Sequence, residues 1–304
     1  MNKKETTMSD FIKNIFYKQR EDFKETSHKR HEEMTFPDDV FEYTDIPYAN
    51  DGCDAHRLDV FRPKDRNDEV LPVIINVHGG GLIIGDKEFN RYFCANLCKK
   101  GFVVFSIEYR LIPDCMIFDQ FYDVSLAMNC IKELLGKYNG DIHHVYAAGD
   151  SGGACLLAYS LAIQNNPSMA DAANITPSDL EIKAAGFISG MFYTNRLDKI
   201  GMFLPKYLYG NDYKKGKFAP YINPENQEMV RSLPPCFLVT SHNDFLCKYT
   251  LDFEKALTLD GIKHELLNYP KNPKLTHAFS VFYPDLPEST DTINKMTAFF
   301  TANR

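Results

Sequence analysis

Apolar residues recur along this chain with two different periods. In the first stretch Ile12, Ile15, Phe16 and Phe23 fall at helical spacing on one face, with many of the Lys and Glu residues elsewhere around it. That period predicts one amphipathic helix from about Ser9 to Met34, docked on the rest of the protein by its apolar stripe. A turn at Pro37-Asp38-Asp39 follows. From Arg57 onward the pattern changes to short apolar runs rich in β-branched residues: RLDVFR (57–62), VLPVIINVH (70–78), FVVFSIEY (102–109), HVYAAGD (144–150), KAAGFISG (183–190), PCFLVTS (235–241) and HELLNY (264–269). Between them lie segments of helical period, at Asp119–Tyr138, 151–164, Tyr249–Asp260 and Asp291–Asn303. A strand that is apolar along its whole length needs cover on both sides. The alternation therefore predicts an α/β fold: a mostly parallel central sheet with helices on both faces.

Residues 191–232 break the alternation. The stretch carries Met191, Phe192, Tyr193, Met202, Phe203, Tyr207 and Tyr209 between two predicted strands. An insertion there lies at the C-terminal edge of the sheet, where ligands bind in this class. It is read as a lid lining a pocket, with a second small core as the alternative. No internal repeat interrupts the rest.

The 304 residues suffice for one large α/β domain with an accessory lid, or for two small domains. A formal net charge of −7 argues against a nucleic-acid partner, whose binding footprint is basic and clustered. Lys214-Lys215 with Lys217 is an isolated basic run, read as solvated surface. The opening MNKKETTMSDFIKNIF lacks the continuous apolar stretch of a secretory signal, and no segment has the roughly 20 uninterrupted apolar residues of a membrane span. These features point to a cytoplasmic protein without stable membrane insertion. Its eight cysteines are then reduced thiols, most of them in apolar runs. Cys94 and Cys98 are four apart on a helix, but no second pair has zinc-ligand spacing, so core packing is the better reading and no metal is expected.

The sharpest chemical signal is Gly149-Asp150-Ser151-Gly152-Gly153, a G-x-S-x-G motif where an apolar strand turns directly into a helix. A sharp turn there lifts a serine Oγ clear of the backbone, and small neighbours avoid collision with the bend. The serine also sits at a helix N-terminus, whose free N–H groups favour developing negative charge. A second signal, His78-Gly79-Gly80-Gly81, directly follows the strand VIINV. Consecutive glycines let backbone N–H groups face a concavity, as an oxyanion hole requires. A plain turn or a phosphate loop is the alternative, but the Lys-Ser/Thr ending of a P-loop is absent.

HGGG about 70 residues ahead of GDSGG resembles the hormone-sensitive-lipase-like family of α/β-hydrolases, which includes bacterial carboxylesterases and arylacetamide-deacetylase-like enzymes. The likeness runs from about Arg57 to the C-terminus. LDVFRP (58–63) looks like the family's early strand, and EYRLIPD (108–114) is similar to its D-Y-R-L-A-P-E stretch. LVTSHNDFL (238–246) resembles the segment carrying the acid, and THAF (276–279) the histidine motif. The resemblance implies an α/β-hydrolase fold with a helical cap built from residues 1–45 and 191–232, on a catalytic domain spanning 46–304. It also implies Ser151 as nucleophile, Asp244 as acid and His277 as base, in the chain order expected for the fold. Asp252 and Asp260 are rivals to Asp244 on or beside the next helix; His242 precedes Asp244 and breaks the order, and His264 opens a strand. The oxyanion donors implied are the N–H groups of Gly80, Gly81 and Gly152, with His78, Gly79 and Asp150 as supporting motif residues.

This chain departs from the family at Leu82, where an aromatic is common, at Gly152, where GDSAG has alanine, and at Lys248, where the family has a second acid. Acyl and alcohol preference do not carry over. The activity expected is cofactor-independent hydrolysis of small-molecule carboxylic esters of short to medium acyl chain. An amidase or peptidase using the same triad is the nearest alternative. A non-catalytic receptor on the same scaffold is another; the plant gibberellin receptors resemble the family but lack the histidine that His277 supplies. A homodimer is compatible with the sequence but is not indicated by it.

Overall fold

The computed structural model describes residues 8–304, so residues 1–7 of the expected cap segment lie outside the described residues. The chain runs α1 (Met8–Glu32), β1 (Val40–Pro47), β2 (Arg57–Pro63), β3 (Leu71–Val77), α2 (Arg91–Cys98), β4 (Val103–Ile107), α3 (Ile117–Leu134), β5 (Gly140–Asp150), α4 (Ser151–Asn165) and α5 (Pro167–Ala173). It continues through β6 (Ala185–Ile188), α6 (Lys199–Phe203), α7 (Pro205–Tyr209), α8 (Gln227–Arg231), β7 (Cys236–Ser241), α9 (Cys247–Leu259), β8 (His264–Tyr269), α10 (Phe279–Phe282) and α11 (Pro287–Thr301). The strands form one sheet in the order β1-β2-β4-β3-β5-β6-β7-β8. Pairing is antiparallel at β1/β2 and β2/β4 and parallel from β4 to β8.

The apolar runs read as two-sided strands, and the pleat shows why. Along β3, Val73, Ile75 and Val77 face one core layer while Ile74 faces the other; along β5, Val145 and Ala147 oppose Tyr146 and Ala148 in the same way. The first layer is filled by α3, α4 and α9 through residues such as Phe121, Met128, Leu157 and Phe253. The second is filled by α2 and α11 through Phe93, Leu97, Met296 and Phe300. Cys94 and Cys98 are buried in that second layer. Among the described residues no helix is long and apolar enough to cross a membrane.

Two sequence expectations change. The sheet gains an edge strand, β1, inside the segment expected as cap. Most of its positions are exposed or half-exposed, and its ladder slips between Tyr43 and Ile46, so the alternation that marks a strand is broken. The helix α1 docks as expected, but not through all four stripe residues. At about 100° per residue, Ile12, Phe16 and Phe23 lie within about 40° of one another, whereas Ile15 lies about 80° off their mean direction. Phe16 is accordingly buried against Tyr207 (ring centroids 5.3 Å apart) and Phe23 packs on Phe89 (4.6 Å), while Ile15 is exposed.

Residues 191–232 fold into short helical pieces whose Leu208, Tyr209, Phe218 and Met229 join the same core layer as α3 and α4. Tyr159 on α4 donates to the Tyr221 carbonyl (2.8 Å), and Phe118 on α3 meets Phe218 edge-on (5.3 Å). The insertion is therefore continuous with the main core and touches α1 through Tyr207. Lys214, Lys215 and Lys217 are exposed.

Candidate active site

In a parallel sheet the strand ends lie side by side, so loops far apart in sequence converge at one edge. Val77 pairs with Gly149 and Ser241 with Tyr269, which brings the segments after β3, β5, β7 and β8 together. Those segments carry His78–Gly81, Ser151, Asp244 and His277.

The β5–α4 junction is as tight as the motif requires. Ser151 has φ = 50°, a left-handed conformation that costs a non-glycine residue about 1–3 kcal/mol and persists only where the surroundings impose it. Here the packing behind the turn does so. A Cβ at Gly152 would come within 2.8 Å of the Gly81 and Leu82 nitrogens, and one at Gly153 within 2.2 Å of the His78 carbonyl oxygen. Gly153, common to GDSGG and GDSAG, thus lets the end of β3 press directly onto the start of α4, and Gly152 in place of alanine leaves room for the turn at Gly81 and Leu82.

Ser151 Oγ lies 2.9 Å from His277 Nε2, and His277 Nδ1 lies 2.8 Å from Asp244 Oδ1. The carboxylate is an acceptor only, so Nδ1 carries the proton and Nε2 is left to accept from the serine hydroxyl. The same Asp244 oxygen accepts the Leu246 N–H at 2.8 Å. Burial alone would raise the Asp244 pKa; the bond from His277, helped by that of Leu246, outweighs it and holds the carboxyl below its ordinary range. The backbone after His277 is fixed by the Ala278 N–H, which donates to Ser189 Oγ at the end of β6 (3.0 Å). Phe245 is largely exposed and leans on the His277 ring (centroids 4.5 Å apart).

Opposite the serine, Gly80, Gly81 and Leu82 all have positive φ (110°, 61° and 70°). Among the described residues, the N–H groups of Gly80, Gly81 and Gly152 donate to no protein acceptor. Behind them His78 is fully buried. Its Nδ1 faces the Gly79 carbonyl (2.8 Å), its Nε2 faces Glu108 (3.2 Å), and its ring stacks on Tyr109 (centroids 4.3 Å apart). Both partners are acceptors, so both ring nitrogens donate. Burial pushes the His78 pKa down, but the bond and charge of Glu108 with the Gly79 carbonyl raise it above the ordinary value. Tyr109 closes the arrangement by donating to the His78 carbonyl (2.8 Å). Asp150 ties the two motifs together: its Oδ1 accepts from the Gly79 N–H (2.9 Å) and from Asn90 Nδ2 (2.8 Å). Burial raises its pKa despite the Asn90 bond.

The rivals lie elsewhere. Asp252 is held by Arg196 (2.8 Å), Lys248 (2.9 Å) and Lys255 (3.3 Å), and Asp260 by Arg231 (3.1 Å). His242 is exposed beside Asn268, and His264 faces the Ile262 carbonyl. Sequence reasoning missed Asn90, Glu108 and Ser189 as partners of the site. Asn90 and Ser189 belong to no motif, and their roles depend on contacts 60 and 89 residues away in sequence.

The family profile described as "alpha/beta hydrolase fold" matches residues 74–280. The chain belongs to this family. Within it, the chain is of the hormone-sensitive-lipase-like, carboxylesterase type, and similar curated proteins are esterases by name. It is 28% identical over 226 residues to a probable isoprenylcysteine alpha-carbonyl methylesterase of Oryza sativa subsp. japonica, covering 70% of this chain and 54% of that protein. It is 25% identical over 248 residues to an esterase of Mycobacterium tuberculosis, covering 78% of this chain and 57% of that one. The chain thus spans about half the length of the curated relatives it matches. Among solved structures, esterase B from Lactobacillus rhamnosis inhibited by a tributyrin phosphonate superposes with a TM-score of 0.90 at 22% identity, over 97% of this chain and 96% of that one. This likeness bears on the α/β-hydrolase fold, which it matches nearly end to end.

Proposed function

We propose that the protein is a serine carboxylic ester hydrolase acting on small-molecule esters of short to medium acyl chain. The observation that carries the reading is the continuous hydrogen-bonded line from Asp244 through His277 to Ser151 Oγ, facing the unengaged N–H groups of Gly80, Gly81 and Gly152.

Each part has a task in acyl transfer. His277 Nε2 takes the Ser151 proton as Oγ bonds to the ester carbonyl carbon, and Asp244 stabilises the imidazolium that results. The carbonyl oxygen gains negative charge and is met by the three backbone donors, which are fixed before the reaction begins. His277 returns the proton to the departing alkoxy oxygen as the C–O bond breaks, releasing the alcohol and leaving an acyl-serine. Water then gives its proton to His277, attacks the acyl carbon and frees the acid, and Ser151 recovers its proton. No metal or organic cofactor enters these steps.

The helix α1 and residues 191–232 are proposed to cap this edge of the sheet. The Phe16–Tyr207 contact joins them, and the N–H of Met191, where the insertion starts, donates to the Ser151 carbonyl (2.9 Å). The esterase names of the curated relatives support an ester over an amide, and the plant relatives' name makes a methyl ester worth including among the substrates. Turnover of a p-nitrophenyl ester against the matched anilide separates esterase from amidase. A fluorophosphonate that labels Ser151, and fails to label Ser151→Ala, tests the nucleophile.

A further inference from the structure

We infer that Arg20, on the N-terminal helix α1, is a positioning residue for the proposed oxyanion donors: it clamps the turn that presents the Gly80 and Gly81 N–H groups. The inference rests on the proposed reading of Ser151 and these glycines.

The turn after β3 holds itself closed through Gly80, whose carbonyl accepts from the Ile83 N–H (3.1 Å) and the Ile84 N–H (3.0 Å). Its outer strand is then pinned from two directions. The Leu82 carbonyl accepts from the Ile112 N–H (3.0 Å) and from Gln120 Nε2 (3.1 Å), which ties the turn to the loop before α3. The Ile83 carbonyl accepts from Arg20 Nε at 2.7 Å, and the same guanidinium donates through Nη2 to the Ile112 carbonyl at 2.6 Å. Arg20 therefore spans the two loops next to the point where they bond each other. Its third arm, Nη1, pairs with Asp114 at 2.6 Å, and Tyr17 donates to the other Asp114 oxygen at 2.6 Å.

A planar guanidinium with donors on three sides is the side chain that meets two carbonyls and a carboxylate at once. The need for such a clamp is local. Leu82, a buried non-glycine residue with φ = 70°, sits in the middle of the turn, and a strained conformation relaxes when its neighbours let go. Relaxation there moves the adjacent Gly81 N–H, and oxyanion donors act only at the right distance from the developing charge. An arginine on the expected cap helix thus bears on the chemistry and not only on the fit of the substrate.

The test compares full-length Arg20→Ala, Arg20→Gln and Tyr17→Phe with the unaltered protein on p-nitrophenyl acetate and butyrate, with melting temperature and inhibition by an alkyl trifluoromethyl ketone measured on each. Losing one oxyanion donor outright costs about 10²–10³ in kcat, so a misplaced one costs less. Arg20→Ala is expected to lower kcat roughly 10- to 10²-fold with KM changed less than about threefold, and to weaken the ketone, whose adduct carries an oxyanion, by a similar factor. Arg20→Gln, which keeps the aliphatic stem and one amide donor, falls between. Tyr17→Phe, which loosens Asp114 but leaves both carbonyl contacts, keeps its kcat. A change confined to KM, a kcat within about twofold for both Arg20 variants, or an equal loss in Tyr17→Phe overturns the clamp. If Arg20→Ala does not fold, Arg20→Gln alone decides by the same measures. Ser151→Ala is run alongside: full activity there overturns the reading of the site itself, whereas an inert Ser151→Ala beside active Arg20 variants overturns the clamp alone.

Discussion

Replacing Asp244 by asparagine separates the two things an acid can do for a histidine, because this site constrains how the amide can sit. Asp244 Oδ1 accepts two N–H groups, those of His277 Nδ1 and Leu246, while Oδ2 is buried without a protein partner among the described residues. An asparagine that keeps its carbonyl oxygen at the Oδ1 position retains both bonds. The flipped amide would set its NH₂ against the Leu246 N–H, donor to donor. The favoured orientation therefore preserves the His277 tautomer, and what is lost is the negative charge opposite the imidazolium. The lower bound on that loss is the difference between a charged and a neutral hydrogen bond, about 1 kcal/mol. The upper bound is the attraction of two unit charges about 4 Å apart at an effective dielectric of about 20, near 4 kcal/mol. At about 1.4 kcal/mol per decade these bracket a fall in kcat of roughly 5- to 10³-fold, centred at about 60-fold. Asp244→Ala, which strips both N–H groups of their acceptor, should be worse than Asp244→Asn; Asp252→Asn, remote from the serine, should cost less than about tenfold. The assay is kcat on p-nitrophenyl butyrate at neutral pH, with melting temperature as the control for folding. Asp244→Asn falling as far as Asp244→Ala would refute the preserved tautomer, and Asp252→Asn costing more than Asp244→Asn would move the acid to Asp252.

If α1 and residues 191–232 cap the pocket, kcat/KM should rise by up to roughly fourfold per added CH₂ over short acyl chains, peak between about C2 and C8, and then fall. Phe16→Ala, which removes the contact with Tyr207, should flatten that profile with hydrolysis of the acetate ester retained; an unchanged profile in a stable variant would take α1 out of the pocket. A second expectation concerns pH. Burial pushes the Asp59 carboxyl up to about 6, against the pull of the Asp45 N–H and the Lys87 ammonium beside it. A carboxyl with a raised folded-state pKa binds protons more tightly folded than unfolded, so its contribution to stability falls as pH rises from about 4 to about 6, by up to about 3 kcal/mol. Denaturant titrations at pH 4.5 and 7 should show a smaller decline in Asp59→Asn than in the unaltered protein; equal declines would remove Asp59 as the cause.

The parallel sheet was legible because its central strands are buried on both faces, and burial on both faces writes a near-continuous apolar run such as VIINV or FVVF (102–105). β1 was not, because an edge strand has one unpaired side and this one is broken by a slip between Tyr43 and Ile46. The residues of the candidate site were legible for a different reason. A serine in a strand-to-helix turn and donors on consecutive glycines are local devices, and their constraints fall on neighbours in the chain. What supports those devices is non-local. Asn90 reaches Asp150, Glu108 reaches His78, and Arg20 reaches Ile83 and Ile112 across 60, 30 and up to 92 positions. No spacing rule links such pairs. Ile15 shows the remaining limit: it satisfies a three-or-four-residue spacing with Ile12, yet points away from the line that docks.

Ser151 is proposed to be an activated nucleophile, and active-site labelling tests this most directly. The protein should react stoichiometrically with a fluorophosphonate, with the adduct mapped to the peptide containing Ser151, and with loss of p-nitrophenyl ester hydrolysis in step with labelling. Ser151→Ala should remain folded, take up no label and lose about 10⁴–10⁶ of kcat, because the three residues act as a unit. An adduct on another serine, or Ser151→Ala keeping more than roughly a tenth of the activity where loss should be near total, would contradict the account.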